Sequence, residues 1–189
     1  MALKEIVMKN RSCRRFRQER RVSRELLVSL VELARLTASG RNLQVLKYAV
    51  VNDPAECATL YPALAWAGYL KEWDGPEEGE CPSAYIVLCC DTSIGPENKW
   101  DEGIAAQTIL LGAVEAGLGG CMIGSIRREE IVRTLGLSEN LTPVLVIALG
   151  VPKEEAAIVP LRDGDIKYYR DEQSVHYVPK RSLDDILIK

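Results

Sequence analysis

Apolar residues along this chain fall into two patterns: stripes at three- and four-residue spacing, which mark helices, and short unbroken runs, which mark buried strands. Leu3, Ile6 and Val7 group on one side of a short helix over residues 2–9. Leu26, Leu27, Leu30, Val31 and Ala34 form a longer stripe, and Ser23 ahead of it supplies a capping oxygen. A second helix is therefore predicted from about Ser23 to Thr37. Tyr48 to Val51, Ala84 to Cys90, Cys121 to Ile123 and Pro143 to Leu149 read as strands. A helix separates the first two strands, followed by a loop with Trp66, Gly68, Trp73 and several acidic residues. Asp101 is placed to cap a long helix through Leu111 and Val114, ended by Gly117-Leu118-Gly119-Gly120. The faces of that helix are nearly all small or apolar, so it is expected between the sheet and a second subunit. Ser125 is expected to cap a brief helix stopped by Gly136.

After Gly150 the core-like runs thin out. Ile166–Arg170 and Val175–Val178 predict a hairpin around Asp171-Glu172-Gln173, and Leu183, Ile186 and Leu187 predict a short helical end. A tail with so little core of its own, residues 151–189, reads as an arm that wraps this domain or crosses onto a second copy. The fold class is α+β, one domain over residues 1–189, with a sheet of about four or five strands and helices on both sides. The element order includes βαβ-like pieces.

The chain has 189 residues, 24 Lys plus Arg against 27 Asp plus Glu, and a formal charge of −3. That balance gives no broad basic field, so no nucleic-acid partner is expected. Six cysteines occur without a CxxC pair, and His176 is the one histidine. No metal site is expected, and reduced thiols in a cytoplasmic protein are the simplest reading. The apolar stretch from Ile104 to Met122 carries Gln107 and Glu115 and reads as a core helix followed by a strand, so no membrane association is expected.

Candidate chemistry lies in three places. Arg11, Ser12, Arg14 and Arg15 concentrate charge near the N-terminus, and Lys180 and Arg181 do so near the C-terminus. These are either two solvated basic faces or one phosphate site where the termini meet. Ser39, Gly40, Asn42 and Gln44 form a polar loop, a plain turn or a ligand contact. Ile123, Gly124 and Ser125 sit at a strand-to-helix junction, where backbone can approach a ligand closely. No GxGxxG follows a strand and no nucleophile–base set is present. That leaves either non-enzymatic binding or an enzyme whose chemistry resides in a cofactor.

The segment Asn10-Arg11-Ser12-Cys13-Arg14-Arg15-Phe16 resembles the Arg-Arg-Ser-x-Arg-x-Phe signature of the nitroreductase family of FMN-dependent oxidoreductases. Thr37-Ala38-Ser39-Gly40-Arg41-Asn42-Leu43-Gln44 is similar to that family's Ala-Pro-Ser-x-x-Asn-x-Gln loop. The stretch from Asp101 to Gly119 resembles its central helix with a Gly-Leu-Gly ending, and Lys180-Arg181 its basic tail. The resemblance implies a homodimer with exchanged terminal segments and FMN at the subunit interface. Arg11, Ser12, Arg14, Lys180 and Arg181 would hold the phosphate and ribityl chain. Ser39, Gly40, Asn42 and Gln44 would contact the flavin or ribityl group from the other subunit, and Ile123, Gly124 and Ser125 would line the ring. NADH or NADPH would reduce the flavin, which would then reduce a small electron-poor acceptor such as a nitroaromatic or quinone. Dehalogenation, dehydrogenation, flavin modification and flavin binding without turnover are alternatives on the same scaffold. Asn10 stands where the family signature has its first Arg, Val45-Leu46 replaces a common Pro-Trp, and Gly124-Ser125 replaces a Glu-Gly pair. Tyr69, Trp73 and Trp100 are expected to line the open pocket.

Overall fold

The most apolar run in the chain needs cover on both faces, and the computed structural model, which describes residues 1–189, supplies it. Strand β2 (Ala84–Asp91) is buried at every position. It lies between β1 (Leu46–Val51) and β4 (Leu141–Gly150), with β3 (Gly119–Ile123) on the far edge, in the order β1-β2-β4-β3. All three pairings are antiparallel, so the βαβ-like order produces no parallel strands in this sheet. Registers run from Leu46 opposite Cys90 and from Ala84 opposite Leu149, with a bulge between Leu88 and Cys89.

Alternate β2 side chains enter two cores. Ala84, Ile86, Leu88 and Cys90 pack with Leu27, Leu30, Ile109 and Ala113, from helices α2 (Arg24–Arg35) and α4 (Lys99–Glu115). Tyr85, Val87 and Cys89 pack with Phe16, Leu60, Trp66 and Ile131, the side carrying α3 (Pro54–Leu60) and α5 (Arg128–Leu135). This is the expected α+β layering. The short α1 (Leu3–Lys9) buries only Ile6.

Helix α2 starts as expected: the Ser23 hydroxyl accepts from the Leu26 N–H at 3.2 Å. Two other caps differ from expectation. Asn98, not Asp101, caps α4 by accepting from the Trp100 N–H at 3.1 Å, and Asp101 lies within the helix. Ser125 does not cap α5, because Ile126 is taken up in an antiparallel bridge to Leu64 and the helix begins at Arg128. Helix α4 is buried on its sheet side, while Trp100 (81% exposed) and Ile104 mark an open face within one chain.

Strand β3 begins at Gly119, two residues earlier than the apolar run suggests. A Cβ at Gly120 would lie 2.6 Å from Leu110 Cδ2 and 2.7 Å from the Ala148 carbonyl, so helix and strand approach too closely for any side chain there.

Beyond Gly150, β6 (Tyr169–Arg170) and β7 (His176–Lys180) form the expected hairpin. Strand β5 (Ala156–Pro160), absent from the sequence expectation, pairs parallel to β7 and completes a second, three-stranded sheet. Residues 183–187 make a single turn instead of the expected short helix. Five residues give too few hydrogen bonds to repay nucleation. No helix is long and apolar enough to cross a membrane.

Candidate functional site

The end of edge strand β3 leads into a cleft of about 240 Å³ lined by Arg14, Trp66, Gly68, Ile123, Gly124 and Ser125, among others. The chain after α3 forms the facing wall, fixed by the Leu64–Ile126 bridge and by the Ala65 N–H donating to the Ser125 carbonyl at 3.0 Å. Gly68 and Gly124 line this cleft without any packing need for glycine. A Cβ at Gly68 would meet nothing within 4 Å, and one at Gly124 only Leu145 Cδ1 at 3.9 Å. Bare backbone on both sides makes a slot suited to a flat group lying close against the main chain.

Arg14 stands at this slot. It is 8% exposed, its guanidinium lies 4.8 Å over the Tyr168 ring, and Nη1 is 3.4 Å from His176 Nε2. The nearby carboxylate of Glu154 is used elsewhere. It accepts from the Arg14 N–H at 2.5 Å, the Arg15 N–H at 3.2 Å and Arg170 Nη2 at 2.8 Å. Burial pushes His176 down to about 4 against the pull of Glu154, with Arg14 and Arg170 adding to the fall. The imidazole is therefore neutral at pH 7, and no carboxylate forms an ion pair with the Arg14 guanidinium. Buried Arg14 and half-buried Arg170 face the one carboxylate of Glu154, which leaves a net positive charge suited to a phosphate.

The other sequence candidates are dispersed within one chain. Ser12 is exposed, and its backbone bridges in parallel to Gly120. Arg11 faces a separate cavity with Lys9, Cys13 and Glu115. Its Nη2 donates to the Val7 carbonyl at 2.8 Å, while Nε is buried without a partner. Lys180 and Arg181 are exposed at the end of β7 and do not line the cleft. Lys180 is four strand residues beyond His176, on the order of 13 Å. One chain thus brings Arg14 together with Ile123, Gly124 and Ser125, but not with Arg11, Lys180 or Arg181.

Ser39 and Gln44 line another cavity, about 250 Å³, with Lys47, Tyr48 and Asp101. Burial, then Asp101, pushes the Tyr48 phenol up to about 12. Asp101 Oδ2 accepts from the Ser39 hydroxyl at 2.6 Å, and its carboxylate takes the Gly40 N–H at 2.9 and 3.1 Å. The Ser39 oxygen in turn accepts from the Gln44 N–H at 2.9 Å. Across this loop Arg41, Asn42 and Gln44 hold φ of 54°, 56° and 54°. Each such non-glycine position costs on the order of 1 kcal/mol. Asn42 and Gln44 are exposed at its tip.

The aromatic expectations need correction. Tyr69 packs at 5.0 Å against Tyr168 with the rings tilted by 55°, Trp73 lies 4.4 Å beneath Arg170, and Trp100 is exposed on α4. None of the three lines the slot. Trp66 does, held by a 5.8 Å stack on Tyr61. The sequence signal for it was the Trp66-Ala67-Gly68 triplet, a large flat wall beside a residue without a side chain.

Comparison with known proteins agrees with this architecture. The model of the nitroreductase family matches residues 7–78 and 93–151. A protein of Archaeoglobus fulgidus with the provisional name NADH dehydrogenase/NAD(P)H nitroreductase is 30% identical over 145 residues, covering 72% of this chain and 78% of its own. The structure of nitroreductase A from Vibrio parahaemolyticus is 26% identical with a TM-score of 0.66, covering 86% of this chain and 72% of that one. An FMN-dependent nitroreductase from Clostridium difficile R20291 shares the fold, with a TM-score of 0.64 at 24% identity over 85% of this chain and 92% of that one. The class is that of flavin-dependent oxidoreductases. Within it, the chain belongs to the nitroreductase family.

Proposed function

We propose that this chain is an FMN-dependent NAD(P)H oxidoreductase acting as a homodimer. Residues 1–189 form one FMN-binding unit, and 151–189 form an arm exchanged between copies. The observation that carries the reading is the Arg14 guanidinium, paired with no carboxylate, lining the same slot as Gly68 and Gly124. This donor set fits a phosphorylated flat ring: a buried cation for the phosphate, bare backbone for the ring, and Trp66 and Ile123 as apolar walls.

FMN, when bound, supplies a ring that takes up hydride from NADH or NADPH and reduces an electron-poor acceptor such as a nitroaromatic or quinone. The chain's own residues bind, orient and shield. Arg14 anchors the phosphate, helped by Ser12. The Gly124 and Ser125 backbone N–H groups offer donors to the ring edge, and Trp66 excludes water from one side. Lys180 and Arg181 join this site through exchange of the arm, and Arg11 through its place beside Ser12 on the same segment as Arg14.

A second copy accounts for the apolar surface around the Ser39–Gln44 loop, where Leu33, Leu36, Leu43, Trp100 and Ile104 are all exposed. Covering that face carries Ser39, Gly40, Asn42 and Gln44 to the partner's slot. The test is the Arg11→Ala/Arg14→Ala double variant. It should elute as a folded dimer without the flavin absorbance bands that the parent shows and that NADH or NADPH bleaches anaerobically. Retention of FMN at parental affinity in that variant refutes the phosphate assignment.

A further inference from the structure

The loop that this reading sends to the flavin is held in an unfavourable backbone conformation, and a single buried side chain ties it down. We infer that Asp101 is a positioning residue that presets the Ser39–Gln44 loop for flavin contact. The inference rests on the function proposed above only for what the loop touches, not for what holds it.

Asp101 is 5% exposed and lies in the first turn of α4, a rigid element packed on the sheet. No cation pairs with it. Its carboxylate is balanced by neutral donors alone: the Ser39 hydroxyl, the Gly40 N–H and Asn98 Nδ2 at 3.0 Å. Two of these three donors come from the loop. The third belongs to the residue that caps α4, so loop and helix start are fastened together. The Ser39 hydroxyl donates to Asp101 and accepts from the Gln44 N–H, which fixes the loop at both ends through one oxygen. Between those ends lie the left-handed residues Arg41 and Asn42, with Gln44 left-handed at the second tie. A loop without these ties relaxes toward ordinary backbone angles, and Asn42 and Gln44 then leave their present positions. A preset loop gains affinity by avoiding that ordering cost on binding.

Gly40 belongs to the same device. A Cβ there would lie 2.6 Å from Asn98 Nδ2 and 3.5 Å from Asp101 Oδ1, so a side chain would displace the groups that grip its own N–H.

The experiment uses the full chain with Asp101→Ala, Ser39→Ala and a control in the same helix, Ile109→Val, which trims a buried core side chain. Amide hydrogen exchange is read at Gly40 and Gln44 in flavin-free protein. FMN affinity is read by fluorescence quenching, and the visible circular dichroism of bound FMN reports its surroundings. Asp101→Ala should speed exchange at both amides, weaken FMN binding by about ten-fold or more, and alter the flavin dichroism. Ser39→Ala should free Gln44 and leave Gly40 protected, with a smaller loss of affinity. Ile109→Val should keep FMN affinity within about two-fold, because it costs stability without touching the loop. Unchanged exchange in Asp101→Ala, or in Ser39→Ala should Asp101→Ala fail to fold, overturns the inference. So does faster exchange with parental FMN affinity, or an equal affinity loss in Ile109→Val. A parent chain that takes up no FMN overturns the proposed function instead, and the exchange measurement still decides whether Asp101 holds the loop.

Discussion

Glu80 ties three separate segments together, and the strength of that tie can be worked out and measured. Its carboxylate accepts from Arg15 Nε at 2.5 Å and Nη2 at 2.6 Å and pairs with Lys153 Nζ at 2.9 Å. It thereby joins the N-terminal basic segment, the loop before β2 and the start of the arm. The Arg15 bond, opposed by burial and reinforced by Lys153, lowers Glu80 from its ordinary 4.5 to about 2. By linkage that displacement corresponds to at most about 3 kcal/mol at neutral pH. Lys153 is half exposed, so solvent screening brings the expected value to about 2 kcal/mol. A depressed carboxylate stabilises above its unfolded pKa and ceases to do so as pH falls through its folded value. Glu80→Gln should therefore cost about 2 kcal/mol at pH 7, and less than half of that at pH 3. Urea unfolding of flavin-free parent and variant at pH 7, 5 and 3 measures both. A cost that stays constant from pH 7 to 3 would refute the ionic account and leave packing as the cause.

His176 governs a different window. Its folded value of about 4 lies below its ordinary 6.5, so the unfolded chain takes up a proton that the folded chain refuses. Stability should fall by up to about 3 kcal/mol as pH drops from 6.5 to 4, and His176→Gln should lack that slope in the same unfolding series. Gly112→Val should lower stability by about 1–3 kcal/mol, since a Cβ there already meets Leu33 Cδ1 at 2.6 Å and Leu30 Cδ2 at 3.0 Å. Thermal melts check this, and an unchanged melting temperature would mean that α2 and α4 can separate at no cost. Cys90 is fully buried, and burial raises its thiol above the ordinary value, so it is protonated at pH 7. Cys90→Ser should leave anaerobic flavin reduction intact; complete loss in a folded variant would implicate the thiol.

The elements that the sequence made legible are those whose pattern is local. Helix α2 shows its stripe and its Ser23 cap, and β2 its apolar run, so both lie close to where expected. Errors arose wherever a distant partner overrode a local preference. Asp101 is a good capping residue by type, yet the Ser39 hydroxyl and the Gly40 N–H claim its carboxylate, and Asn98 caps instead. Ser125 has the right chemistry for a cap, but the bridge from Leu64 uses the next residue. Strand β5 carries little periodicity of its own and forms because β7 returns beside it. For the site, Arg14 and Ile123–Ser125 were readable as charge and as a glycine junction. Trp66 and Gly68 leave only the Trp-Ala-Gly triplet as a signal, and the fold alone brings them to the same cleft as Gly124.

Strand β2 has no solvent side, and this shapes how the protein can diverge. A substitution at Ala84, Ile86 or Leu88 disturbs the helices α2 and α4, and one at Tyr85 or Val87 disturbs the cleft side. Strand β1, buried fully only at Val51, leaves room to drift. A scan of all single replacements would show an unbroken intolerant band across β2 and a patchy one across β1. The segment least free to vary is thus one that need never touch a ligand, and invariance alone would be a poor guide to where this protein does its chemistry.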